Sequence, residues 1–243
     1  MTDLSAINWH AIHQSLWARG WAHTGPLLGP DECVELRGLY DHDARFRTRV
    51  VMARHRFGEG EYKYFDHPLP ALVRELREGS YGRLAGLANQ WNDALGVKDS
   101  YPDGHPQFIE ACHAQHQTRP TPLMLRYAEG GYNCLHQDLY GTVYFPFQMV
   151  VMLNQPGADY DGGHFLLVEN RPRAQSAGEA LRPARGHGVI FTTRTRPVRS
   201  STEARGATAG SSRGFYRTTM RHGVSTVTRG HRFTLGIVYH DAT

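Results

Sequence analysis

The stretch RHGVSTVTRGHRFTLGIVYH, residues 221–240, decides the fold. RHGVSTV and RFTLGIVYH are short runs rich in β-branched and aromatic residues on either side of a glycine turn, and such runs read as strands. Upstream the same texture recurs in PLMLRY (122–127), FQMVVML (147–153), GGHFLLVE (162–169) and GVIF (188–191). Many short strands at even spacing favour an antiparallel sandwich or barrel.

Before Pro122 the period changes. Trp9, Ile12, Leu16 and Trp17 recur at helical spacing, with Gly20 placed to stop the helix. WAHTGPLL (21–28) reads as a strand. GPDECVELRGLY (29–40) opens a second helix with Pro30 and two acids in its first turn, and Cys33, Leu36 and Leu39 should face the core. Leu72, Leu76, Leu84, Leu87, Trp91 and Leu95 predict two successive helices interrupted at Gly79, and a short helix follows over 106–116. The 243 residues, 40% of them apolar, thus read as one α+β domain. Residues 1–118 supply helical support and edge strands, and residues 119–243 the strand core.

Composition constrains the setting. A formal charge of +4 permits an anionic substrate without demanding one. Cys33, Cys112 and Cys134 form no CxxC pair and make a poor disulfide framework, which points to a reducing, cytoplasmic environment. No stretch approaches the roughly 18 apolar residues of a membrane span, and MTDLSAINWH lacks a basic start followed by an apolar run.

The chemistry is concentrated in GYNCLHQDLYG (131–141). Alternate side chains of a strand share a face, so His136 and Asp138 can reach one metal while Gln137 points away. His222, at the start of RHGVSTV, offers a third ligand. Two histidines and one carboxylate on one side of an ion form the facial triad of non-haem iron(II), with the opposite positions left for cosubstrate and oxygen. An HxD pair alone is weak evidence among 15 histidines, but Arg232 lies ten residues beyond His222, with Thr234 on the same strand face. A guanidinium and a hydroxyl suit the distal carboxylate of 2-oxoglutarate. Cys112, His113 and His116 imitate half of a zinc site, but no second half follows, and a helix surface is the simpler reading.

With these motifs in order, residues 122–240 resemble the double-stranded β-helix (jelly-roll, cupin-like) core of the iron(II)/2-oxoglutarate oxygenases. The opening GWAHTGPLLGPDECVELRGLY (20–40) resembles the segment that precedes this core in prolyl-hydroxylase-like and phytanoyl-hydroxylase-like members. ARHRFGEGEYKYF (53–65), TRPTPLMLRY (118–127), GGYNCLHQDLYG (130–141) and NRPRAQSAGEA (170–180) resemble a prokaryotic AlkB-like subgroup associated with damaged nucleic acid. The resemblance implies iron(II), 2-oxoglutarate and O2, and hydroxylation or oxidative demethylation as the outcome. It also implies that a tyrosine on the PLMLRY strand, Tyr127, helps to hold 2-oxoglutarate. His164 stands where this superfamily often has an acid, and it reads as a strand histidine outside the ligand set.

The substrate is less legible. Seven arginines (194, 196, 199, 205, 213, 217 and 221) and one acid, Glu203, fall within 194–221, and residues 192–219 read as a long mobile loop able to grip phosphates. RHRFGEGEYKYF (54–65) mixes basic and aromatic residues that can stack a base, or simply forms an edge hairpin. A nucleobase or nucleic acid, a peptide or protein side chain and a small metabolite remain open as substrates. A cupin-like metal or ligand sensor is the non-enzymatic alternative.

Overall fold

The computed structural model describes residues 4–200 and 214–243. Among these, four α-helices precede most of the strands: α1 Trp9–Arg19, α2 Pro30–Leu39, α3 Ala71–Ala94 and α4 His105–Ala114. Asn8 caps α1 through a bond from the Ala11 N–H, and Gly20 ends it in the left-handed conformation that glycine adopts without strain. Cys33 and Leu36 are buried on α2, whereas Leu39 is only partly so and Tyr40 takes the inner place.

The expected break at Gly79 does not occur, and α3 runs unbroken through it. A Cβ at Gly79 would lie 2.6 Å from the Leu4 side chain. The glycine therefore makes room for packing against the helix, and it does not end it. Cys112 is fully buried in the core, not on a helix surface, and His113 reaches Asp241 at 3.1 Å.

The strands are β1 Trp21–Pro26, β2 Phe46–Val51, β3 Gly58–Glu59, β4 Glu61–Phe65, β5 Leu123–Tyr127, β6 Tyr132–His136, β7 Phe147–Met152 and β8 Tyr160–Gly162, followed by β9 Phe165–Asn170, β10 Ala177–Leu181, β11 His187–Thr192, β12 Thr195–Arg199, β13 Phe215–Val224, β14 Val227–Gly230 and β15 Arg232–Val238. A major sheet has the order β1-β11-β7-β15-β5-β4-β2, and a facing minor sheet has the order β10-β9-β13-β6-β3, with β12 beside β13. All of these pairings are antiparallel. This is the double-stranded β-helix architecture, with helices laid on the outer face of the major sheet.

β7 shows why both layers hold. Phe147, Met149 and Val151 join the core shared with α3, where Trp91 meets Phe147 at 4.5 Å between ring centroids. Val150 and Met152 point the other way and pack on Phe165, Leu167 and Met220 of the minor sheet. A strand buried on both faces reads as a continuous apolar run, as FQMVVML does.

Two expectations from the basic segments change. RHRFGEGEYKYF is no hairpin: β3 pairs with β6 in the minor sheet, and β4 pairs with β2 and β5 in the major one. The chain changes sheets at Gly60, whose φ of 142° leaves little choice of residue. Nor is 192–219 a loop throughout, because β12 and β13 pair from Thr195↔Thr219 to Arg199↔Phe215. Residues 201–213, with Arg205 and Arg213, lie outside the described residues. Arg196, 3% exposed, donates to Glu169 at 2.7 Å, as does Thr218. The inward side of this ribbon is thus anchored by a buried ion pair, which an arginine-rich composition conceals.

Removing one partner of such a pair strands the other charge. Arg196→Met is expected to destabilise the protein by about 3 kcal/mol, seen as a lower midpoint in urea unfolding. An unchanged midpoint would show that Arg171, which also reaches Glu169, suffices alone.

Candidate active site

The two sheets enclose a cavity of about 390 Å³, within the range of small-ligand sites. His136 ends β6, Asp138 follows it, and His222 lies on β13 directly opposite His136 in the ladder. Their ligating atoms all lie within 4.8 Å of one another, and this is the only such His/Cys/Asp/Glu group among the described residues. Nε2 of His136 is 3.4 Å from one Asp138 oxygen, and Nε2 of His222 is 3.2 Å from the other. The close approach of β13 to β6 needs Gly223, where a Cβ would meet the Asn133 carbonyl at 2.7 Å.

Tautomer and charge follow from the neighbours. His136 Nδ1 lies 2.8 Å from the Cys134 carbonyl, and donation there leaves Nε2 as the lone-pair nitrogen facing the cluster. Burial opposes charging of His136, but the Asp138 carboxylate outweighs it and holds the imidazole pKa above its ordinary value. Burial, with His136 beside it, pushes His222 down. Burial also works against the Asp138 charge, yet the two imidazoles hold its carboxyl well below the usual range. Such a donor set, two imidazole nitrogens and one carboxylate, fits a divalent transition metal.

Two tyrosines complete the ligand support. Tyr140 donates to Asp138 Oδ1 at 2.7 Å, and Tyr64 donates to Tyr140 at 3.0 Å. Tyr140 stands two residues after Asp138, a spacing that carries no ligand signal of its own.

The floor of the cavity carries the cosubstrate candidates. Arg232 is 1% exposed, and none of its three guanidinium nitrogens meets a hydrogen-bond partner. Its guanidinium carbon sits 5.4 Å from the Tyr127 ring centroid, and the Tyr160 hydroxyl, 3.7 Å from the Met152 sulfur, lies near enough to feel its charge. Gly163, at φ 57°, clears space for this side chain, since a Cβ there would meet Arg232 Cδ at 2.8 Å. Thr234 shares the inner face of β15, and Tyr127 lies opposite Arg232 on β5, its hydroxyl accepting a bond from Asn133. All six residues singled out from the sequence line this one cavity. His164 and Asn154 do not. His164 pairs with Ser225, and Asn154 is held by Asp159 and Phe233.

The Tyr140 bond orients a ligand, and losing such a bond typically costs a factor of 10 to 100 in metal affinity. Tyr140→Phe is expected to weaken divalent-metal binding by roughly tenfold, measured by anaerobic titration. Because metal must displace the proton that His136 holds unusually firmly, affinity in the unaltered protein should fall as pH drops toward the ordinary imidazole value of 6.5.

Among the described residues no helix is long and apolar enough to cross a membrane. The chain is 44% identical over 211 residues to the uncharacterized protein Rv2227 of Mycobacterium tuberculosis, covering 87% of this chain and 83% of that one. Its fold is similar to a Pseudomonas putida prolyl-4-hydroxylase, with a TM-score of 0.53 at 16% identity, covering 94% and 96% of the two chains. It is likewise similar to an oxidoreductase of the 2OG-Fe(II) oxygenase family from Burkholderia pseudomallei, with a TM-score of 0.52 at 14% identity, covering 97% and 93%. Residues 60–242 match the model of a family described as an oxygenase catalysing oxidative methylation of damaged DNA, and the chain therefore belongs to the Oxygenase-NA family and is an oxygenase.

Proposed function

We propose that His136, Asp138 and His222 ligate iron(II), that Arg232, Thr234 and Tyr127 hold 2-oxoglutarate, and that the substrate is an alkylated base in nucleic acid. The observation that carries this reading is the buried, unpartnered Arg232 guanidinium in the cavity that also holds the three metal-ligand candidates. A buried charge is costly unless an opposite charge meets it, and a dicarboxylate that reaches from the metal to the floor supplies one. Together iron(II), 2-oxoglutarate and O2 supply oxidative decarboxylation to succinate and carbon dioxide and insertion of the second oxygen atom into a C–H bond; a hydroxylated N-methyl group then leaves as formaldehyde.

The protein's own work is positioning. Tyr140 and Tyr64 hold the carboxylate ligand, and the Cys134 carbonyl sets the His136 ring. Phe165 and Phe191 flank His222 at 5.9 and 4.8 Å between ring centroids and keep water from that side. At the mouth, Arg56 and Phe57 line the cavity, and Phe57 stacks with His55 at 5.3 Å. Exposed Arg54, two residues before Arg56, and exposed Arg194, whose carbonyl accepts from the cavity-lining Gln137, add positive charge nearby, whereas Arg217 and Arg221 stand on the outer face of β13. Aromatic faces with basic neighbours suit a base drawn out of its stack and the phosphates on either side.

Two measurements test this. Succinate release should be stimulated by single-stranded oligonucleotides carrying one N-methylated base, and not by unmethylated oligonucleotides or by peptide and metabolite pools; stimulation by a peptide alone would reassign the substrate. Arg232→Ala should weaken 2-oxoglutarate binding by on the order of 2 kcal/mol while iron binding is retained. Unchanged 2-oxoglutarate affinity would remove Arg232 from the site.

A further inference from the structure

Three polar side chains lining the cavity carry buried nitrogen atoms with no hydrogen-bond partner: His222, Arg232 and Gln148. A distal carboxylate would account for Arg232, and the His222 atom is Nδ1, on the far side of the ring from the Nε2 that faces Asp138. Gln148 has no such account. It is 2% exposed, and its amide nitrogen meets no acceptor. Strand alternation aims it inward with Val150, and its ladder neighbours are Phe191 on β11 and Val238 on β15.

That register sets it at the opposite end of β15 from Arg232. It is the end where Phe191 packs on the His222 ring and Tyr140, the Asp138 partner, packs beside Val238. A carboxamide among Phe191, Val150 and Val238 interrupts an otherwise apolar wall, where a leucine would satisfy packing. A buried donor left unmatched is destabilising, and the fold supplies it no acceptor.

We propose that Gln148 positions the substrate: its side-chain N–H donates to a carbonyl oxygen or ring nitrogen on the edge of the alkylated base, and so aims the alkyl C–H bond at the metal. A carboxamide is the side-chain group whose paired donor and acceptor match the edge of a base. The flat aromatic rings beside it accept a planar heterocycle. This inference rests on the nucleobase reading of the same cavity, with Gln148 as the group that distinguishes a base from an apolar side chain of similar size.

The test uses the full chain loaded with iron(II) and 2-oxoglutarate, and compares Gln148→Leu with Gln148→Glu, which keeps the length and removes the N–H donor. Anaerobic visible absorption of the iron–2-oxoglutarate chelate reports whether the site is assembled in each variant. With the oligonucleotide that the unaltered enzyme turns over best, both variants should lose at least tenfold in kcat/KM. Formaldehyde released per succinate formed should also fall, because a misaimed C–H bond lets 2-oxoglutarate be consumed without substrate oxidation. That loss of coupling would not follow from a merely structural role. If both variants keep kcat/KM within twofold with unchanged coupling, Gln148 does not touch the base. If 2-oxoglutarate affinity falls while oligonucleotide turnover at saturating 2-oxoglutarate is unchanged, Gln148 holds the cosubstrate and the proposal is overturned. If the unaltered enzyme binds iron and 2-oxoglutarate but oxidises no methylated oligonucleotide, the nucleobase reading and this assignment fall together, while the cofactor reading stands.

Discussion

The pairing of β13 with β6 is the constraint on which the site depends. It sets His222 opposite His136, and Gly223 permits the two backbones to approach closely enough for both imidazoles to face one carboxylate. The register is irregular between His222 and Val224, so the pairing is not carried by an unbroken ladder. A slip of one residue would turn His222 to the outer surface, where Arg221 now lies. What prevents it is the rest of β13. Its outer end is paired to β12, Thr219–Val224 are paired to β9, and Thr218 is tied to the buried Glu169. Stability distant from the cavity therefore holds the geometry within it.

Buried atoms without a partner occur outside the cavity, at Arg37 Nε, Trp91 Nε1, Thr193 Oγ1 and His240 Nε2, but a whole guanidinium without one occurs only inside it among the described residues. Elsewhere the buried charges are matched: Arg77 with Asp241, Arg196 with Glu169, Lys63 with Asp43 and the Tyr40 carbonyl. Inside the cavity, Arg232 and the amide of Gln148 are not. Buried polar groups are nearly always hydrogen-bonded, and those that are not are informative. A preformed, desolvated guanidinium needs no rearrangement to receive a carboxylate, and the low polarity around it strengthens the contact.

The β12–β13 ribbon also serves two surfaces. Along β12 and β13 the inward residues Arg196, Thr218, Met220 and His222 build core and site, while Arg199, Arg217 and Arg221 stand in solvent. An arginine count cannot separate these roles, because alternation assigns neighbours on the strand to opposite faces. Arg196 is as buried as a core residue and contributes no charge to the exterior.

The amino-acid order by itself determined the period of each element, and with it the helical first half, the strand-rich second half and the inward faces of β6 and β15. Those follow from local rules: alternation puts His136 with Asp138 and Arg232 with Thr234, and capping by Gly20 needs no partner. The order also separated His164 from the ligand candidates. Other features depend on contacts between distant residues, and only the tertiary structure decided them. Gly79 resembles a helix end until Leu4 is seen against it. The basic run 192–219 resembles a loop until Glu169 and β9 are brought alongside, and RHRFGEGEYKYF resembles a hairpin until its halves enter different sheets. Gln148 and Tyr140 were visible as a polar residue in an apolar strand and a tyrosine two places after Asp138. Their significance came from burial and from a partner, or the lack of one, and no local pattern encodes what a side chain meets across a cavity.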